Sequence, residues 1–264
     1  MSAVSVARVR YGSGFRQTRH ADDRIQISVV LDGRLVERVG SRDERAGPLS
    51  LVVKARGVEH ADDYGSSGVL IGSLALEGNE GERLLDGAAA IPDWQWSNVS
   101  PALRSMLRLV DRVPGARGAF EADDPDVLDV LAAVTSTAPG RASRVPPAWI
   151  AQVREQFDDG ELGRVRTVAA RAGVHPVYLA RAFRRWFGCS VSTYLQRARV
   201  ARSAGLLASA GTTLTHVAAT AGFSDHAHFC HRFRDATGLT PGRYRALASR
   251  SRPAVDLPPY RAIQ

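Results

Sequence analysis

The chain has 264 residues, 44% of them hydrophobic and 23% charged, which fits a folded globular protein and excludes wholesale disorder. It holds no apolar run of the roughly 18 residues a membrane helix needs, and residues 1–10 lack an apolar signal core, so no membrane association is expected. Two cysteines, Cys189 and Cys230, are too few for a disulfide framework and point to a reducing cytoplasm. The net charge of +8 is unevenly spread: residues 146–252 carry 16 arginines against six acidic residues, leaving +10, whereas residues 1–145 carry 18 basic against 20 acidic, leaving −2. A polyanion partner is therefore expected for the second half alone. The charge carries that inference; the use of Arg over Lys, with Lys54 the single lysine, is attributed to GC-rich coding.

The first stretch predicts β structure. Residues 25–31 and 35–39 are β-branched runs joined by Asp32-Gly33-Arg34, the pattern of a hairpin. Residues 49–53 and 69–76 form further short strands between glycine-rich turns, which suggests a small sandwich or barrel over about 8–80. The period then changes. Leu103, Met106, Leu107 and Val110 share one helix face, as do Val127, Leu128, Leu131 and Val134. Two helices, within about 100–137 and joined by a Pro-Gly-rich turn, predict an antiparallel hairpin that either packs on the barrel or forms a dimer face. Residues 139–147, rich in Ser, Pro, Gly and Arg, read as a linker.

From residue 148 the pattern is helical and repeats. Val168, Ala169 and Gly173 recur 49 positions later as Val217, Ala218 and Gly222, while Leu179, Phe183, Gly188 and Tyr194 recur at an offset of 50 as Phe229, Phe233, Gly238 and Tyr244. Each unit reads as helix, tight turn, helix: a small Ala at the helix crossing, then a glycine able to adopt the left-handed conformation that ends the first helix. Leu179 with Phe183, and Phe229 with Phe233, lie at i and i+4 on the buried face. Thr213, Ser224-Asp225 and His175-Pro176 supply helix starts, with Gly163-Arg164 a poorer one. Val177, Ala180, Arg181, Arg184 and Arg185 then face outward in the first unit, and His226, Ala227, His231 and Arg234 in the second. Arg and His on the outer face of a second helix suit the DNA major groove. Between the units a helix over 191–208, about 27 Å long, can hold two such helices about 34 Å apart, one turn of DNA.

The strings TVAARAGVHPVYLARAFRRWFGCSVSTYLQRARVARSAGLLA and THVAATAGFSDHAHFCHRFRDATGLTPGRYR make residues 148–248 resemble the DNA-binding domain of the AraC family of bacterial transcription regulators. His20 and the run RAGPLSLVVKARGVEH, ending at His60, resemble the cupin-like effector domain of many members, although Ala55 replaces a proline usual in that turn. The resemblance implies an α+β chain: a cupin-like β-barrel with a helical hairpin (1–138), a linker (139–147), an all-α domain with two helix-turn-helix units (148–250) and a tail (251–264). It implies base contacts by Val177, Ala180, Arg181, His226, Ala227 and His231, with His231 standing where members commonly carry arginine. Phosphate contacts fall to Arg184, Arg185, Arg197, Arg199, Arg202 and Arg234, which give salt-dependent affinity more than specificity. The implied partners are double-stranded DNA, RNA polymerase, a second copy of the chain and a small-molecule effector facing His20, Glu59 and His60. Activation is the family's usual habit.

Competing readings weigh on several of these residues. His226, His228 and His231 lie close enough to suggest a metal, but no Cys or carboxylate completes the set, and a histidine-bearing recognition helix is the reading taken. Cys189 and Cys230 are read as structural and not redox-active, and Trp186 as a packing residue. His20, Asp22, Glu59 and His60 are the right types for a cupin metal centre, yet the first motif reads His-Ala-Asp-Asp and shows no complete ligand set. No cofactor and no metal are therefore expected. A cupin metalloenzyme with an accessory basic domain, and a regulator whose barrel only dimerises, remain the alternatives to an effector-controlled, non-enzymatic regulator.

Overall fold

The computed structural model describes residues 4–76, 96–97, 100–135, 146–158, 165–209, 211–249 and the backbone at 255–256. The first half is built on two sheets. One contains β1 (Val4–Tyr11), β3 (Ile25–Gly33), β6 (Leu51–Lys54), β8 (Val69–Leu76), β9 (Arg117–Phe120) and β10 (Val255–Asp256), with β1, β8, β3 and β6 adjacent in that order. The other runs β2 (Arg16–Ala21), β7 (Glu59–Asp63), β4 (Leu35–Val39) and β5 (Arg42–Ala46).

Period-2 alternation splits the first sheet between two cores. Ile27, Val29, Leu31, Leu51, Val53, Leu70 and Leu74 join one core, with the helices. Val30, Val52, Val69 and Ile71 join another, with Leu35, Ala46 and Tyr64 of the second sheet region. Both faces are covered, and Val29, Val30 and Leu31 in succession place apolar side chains on each of them. Among the described residues no hydrogen-bonded strand pair joins the two sheets, so the expected barrel is an open two-sheet stack.

The expected Asp32-Gly33 hairpin is corrected too, because β3 and β4 belong to different sheets. A register shift between Val30 and Asp32 bends the strand away. Gly33 then crosses at φ 84°, where a Cβ would lie 2.1 Å from the Gly68 carbonyl oxygen. Here the glycine serves a close backbone crossing. The two-residue hairpin lies one strand later, where β4 and β5 pair from Leu35↔Ala46 to Val39↔Arg42 around Gly40 at φ 59°.

Helices α1 (Leu103–Arg112) and α2 (Pro125–Thr135) pack on the sheet, with Met106, Leu107, Val110, Val127 and Val130 fully buried. A Cβ on Gly72 of β8 would sit 2.6 Å from Val110 Cγ2, so that glycine sets how closely α1 approaches. The connection expected as a plain turn also carries β9, which pairs with β1. Arg108–Asp126 (2.6 Å) and Arg112–Asp124 (2.7 Å) tie the two helices. Residues 136–145, which hold most of the expected linker, lie outside the described residues, as does Gly163-Arg164.

The second half is helical: α3 (Ala148–Asp158), α4 (Val165–Arg171), α5 (Pro176–Phe187), α6 (Val191–Ala208), α7 (Leu214–Thr220), α8 (His226–Thr237) and α9 (Pro241–Ala248). The first unit keeps its own core around Phe157, Leu179, Phe183 and Tyr194. The second unit does not: Val217, Phe229, Phe233, Tyr244 and Leu247 belong to the same core as the first sheet and α1.

Candidate nucleic-acid interface

Each helix-turn-helix unit is shaped by the repeated residues. Gly173 and Gly222 hold φ of 67° and 82° at the turns. Gly188 and Gly238, at 73° and 74°, end the recognition helices α5 and α8 by closing onto the Arg184 and Arg234 carbonyls. Asp225 starts α8 by accepting from His228 N at 2.7 Å, and Thr213 starts α7 by accepting from His216 N at 3.2 Å. His175 Nδ1 accepts from Val177 N at 3.3 Å, with Pro176 opening α5. The bond from His228 N holds the Asp225 carboxyl below the usual carboxylate range. Ala169, Ala218, Leu179, Phe183, Phe229 and Phe233 are buried as the repeat requires.

The opposite faces are open. Val177, Ala180 and Arg181 on α5, and His226, Ala227 and His231 on α8, are all exposed, as are Arg184, Arg185, Arg202 and Arg234. Arg197 and Arg199, on α6, are half-buried, each with one buried guanidinium nitrogen lacking a hydrogen-bond partner. Trp186 is half-buried against the first unit's core. The histidines of α8 are engaged separately: His226 lies 3.5 Å from Cys230 Sγ, His228 lies 3.0 Å from Ser224 Oγ, and His231 meets Asp235 at 2.8 Å. Burial pushes both the Cys189 and Cys230 thiols up, away from the reactive thiolate.

Two exposed residues were not legible in the sequence. Tyr178, 57% exposed, stacks on Trp149 at 5.7 Å beside Val177. Arg104 of α1 lines a groove of about 700 Å³ with His231, Arg234 and Thr240. Only tertiary contact brings Arg104 there, so no local signal could have found it.

The second unit is anchored to the sheets by polar contacts as well. Tyr244 Oη donates to the Leu31 carbonyl at 2.7 Å, and Arg243 pairs with Asp111 at 2.6 Å. Tyr194, at the matching position of the first unit, donates instead to Asp158 within its own unit at 2.6 Å.

The residues expected to face an effector are only partly assembled. His20 and His60 are cross-strand neighbours on β2 and β7, with ring centroids 4.1 Å apart. Glu59 points the other way and pairs with Arg19 at 2.9 Å, because β7 alternates and its inward residues are His60 and Asp62. Asp62 is the residue the sequence reading missed, and counting by two from His60 would have found it. Behind it, buried Lys54 pairs with Glu37 at 2.5 Å, and Trp96 Nε1 donates to the other Glu37 oxygen at 2.7 Å. Burial draws the Lys54 pKa down, but Glu37 followed by Asp62 more than offsets this, and the ammonium titrates above its ordinary range. Burial, then Lys54, pushes His60 down to about 4. Burial pushes Asp62 up to about 8.

Residues 168–247 match the family described as "Helix-turn-helix domain". Regulatory protein PocR of Salmonella typhimurium is 28% identical over 82 residues, covering 31% of this chain and 27% of that protein. The probable transcription factor PqrA of Proteus vulgaris is 27% identical over 90 residues, covering 34% of this chain and 74% of that one. The matched stretch thus spans about a quarter of PocR's length. The crystal structure of ToxT from Vibrio cholerae covers 93% of this chain and 98% of its own, at 10% identity and a TM-score of 0.40, too low a likeness to bear on function. The repeated units and their capped turns agree with the family match, and residues 168–247 form a helix-turn-helix domain similar to those of these regulators.

Proposed function

We propose that the protein is a sequence-specific transcription regulator that binds double-stranded DNA through residues 148–250 and is controlled through residues 1–138. The observation carrying this is the pair of exposed recognition faces on α5 and α8, within residues 146–252 of net charge +10. Val177, Ala180 and Arg181 read one half-element, and His226, Ala227 and His231 the other. Arg181 is the strong reader, able to contact guanine bidentately. His231 Nδ1 lies 2.8 Å from Asp235, which orients the ring on the outer face of α8. Arg184, Arg185, Arg202 and Arg234 grip phosphates, with Arg197 and Arg199 contributing from α6. Arg104 in the groove beside Arg234 adds a positive group from the sheet domain.

The control half acts through contact. Tyr244 and Arg243 join the second unit to β3 and α1, so any ligand that shifts the sheets biases the placement of α8. An effector near His20 and His60, a homodimer through α1 and α2, contact with RNA polymerase, activation and a cytoplasmic location complete the reading.

The test is selection of genomic fragments by the purified protein, repeated with Arg181→Ala and His231→Ala. A shared motif is expected, each variant losing one half-element. Uniform, salt-sensitive binding with no motif would overturn it.

A further inference from the structure

The cluster between β2 and β7 has a geometry the effector reading does not require. His20 Nδ1 lies 2.8 Å from the Thr18 carbonyl, and His60 Nδ1 lies 3.1 Å from the Val58 carbonyl. A carbonyl only accepts, so each Nδ1 carries a proton, and the tautomer this selects is the one whose Nε2 can ligate a metal. Both Nε2 atoms point at one oxygen: Asp62 Oδ2 is 3.9 Å from His20 Nε2 and 3.7 Å from His60 Nε2. Asp22 Oδ2 is 4.0 Å from His60 Nε2. Neither approach to Asp62 is a hydrogen bond. The other carboxylate oxygen, Asp62 Oδ1, is buried without a hydrogen-bond partner, on a residue only 4% exposed.

We propose that His20 Nε2, His60 Nε2 and Asp62 Oδ2, with Asp22 as a fourth ligand, form a binding site for a divalent transition-metal ion of the zinc type. The ligand atoms of His20, His60 and Asp62 all lie within 4.8 Å of one another. Ligands about 2.0–2.1 Å from a tetrahedral zinc stand about 3.4 Å apart, so the two His–Asp62 approaches of 3.9 and 3.7 Å must contract by about 0.3–0.5 Å, and the widest spacing by no more than about 1.4 Å. Backbone carbonyls on Nδ1 are the outer partners that fix a metal-binding tautomer. Two imidazoles with two carboxylates suit zinc and its neighbours better than calcium or magnesium. Glu37 is taken up by Lys54, which leaves the Asp22 and Asp62 carboxyls as the acidic groups beside the two rings. The strings behind the site are the same, His-Ala-Asp-Asp at 20–23 and again at 60–63. Side-chain exposures of 15% for His20 and 22% for Asp22, against 1% for His60, place the entry path at the β2 edge.

This inference is independent of DNA binding and is tested without it. The untagged full chain is stripped with chelator and dialysed against zinc, and bound metal is counted alongside thermal melts. One equivalent per chain and a zinc-dependent rise in melting temperature are expected. His20→Ala with Asp62→Asn should weaken binding by about 100-fold or more and abolish the rise. Should that double variant misfold, the wild-type histidine ring nitrogens serve instead: zinc should shift the Nε2 resonances of two histidines whose Nδ1 protons stay in place. Binding retained by the folded double variant, no binding by the wild type, or shifts confined to the exposed histidines of α8 would each overturn the proposal.

Discussion

Tyr244→Phe separates the second helix-turn-helix unit from the sheet domain by one atom. Tyr244 is fully buried, and its hydroxyl donates at 2.7 Å to the carbonyl of Leu31, the residue at the register shift in β3. A bulged residue is left out of the ladder, so the hydroxyl is the partner that its carbonyl receives. The substitution removes no apolar contact. It deletes one buried hydrogen bond and strands one buried acceptor, which together cost about 2 kcal/mol. For a chain of this size that lowers the melting temperature by about 4–8 °C. Tyr194→Phe is the internal control. Its acceptor, Asp158, has a side chain 42% exposed and can turn to water, so a loss below about 1 kcal/mol is expected. Urea and thermal unfolding of both variants, followed by tryptophan fluorescence and circular dichroism, measure the difference. Equal losses, or a loss below about 0.5 kcal/mol for Tyr244→Phe, would refute the interdomain role given to this hydroxyl.

Further outcomes are open to measurement. Gly72→Ala should destabilise by about 1–3 kcal/mol through overpacking, since its Cβ would meet Val110 Cγ2 at 2.6 Å; Val110→Ala in the same chain should recover part of that loss in a double-mutant cycle. Gly173→Ala should cost about 1 kcal/mol in a melt, from φ of 67° alone, because nothing lies within 4 Å of the added Cβ. Thr240→Ala removes the oxygen that accepts from Arg243 N at 3.2 Å and should cost about 1 kcal/mol in the same assay. Arg184→Ala should weaken binding about equally on all DNA sequences and lower the salt slope by about 1, read by fluorescence anisotropy across a salt series.

The helical half was legible because its signals are local. Glycines at 173, 188, 222 and 238, large apolar residues at i and i+4, and the caps at His175, Thr213 and Asp225 act within one or two turns of chain, and the structure places each of these as read. The sheet half was legible only in part. The runs at 25–31 and 69–76 are strands, but strand pairing is a long-range choice, and Asp32-Gly33 was assigned a hairpin that the approach of Gly68 replaces with a crossing. On β7 the motif alone points to Glu59, whereas the alternation of the strand turns His60 and Asp62 inward and Glu59 out to Arg19.

One clue in the repeat did point beyond itself. Position 158 corresponds to position 207 at the offset of 49 that holds before the turn, and a leucine stands there. Tyr244 therefore has no acceptor within its own unit where Tyr194 has Asp158, and a buried hydroxyl without a local partner must find one elsewhere. Sequence by itself determined the two helix-turn-helix units, their exposed faces and the charge that suits them to DNA, because helix periodicity, caps and glycine turns are set by neighbours along the chain. Tertiary structure alone decided which strands pair, that His20, His60 and Asp62 share one centre, and that the second unit completes its core against β3 and α1. Those contacts join residues up to 213 positions apart, and no local energy term encodes them.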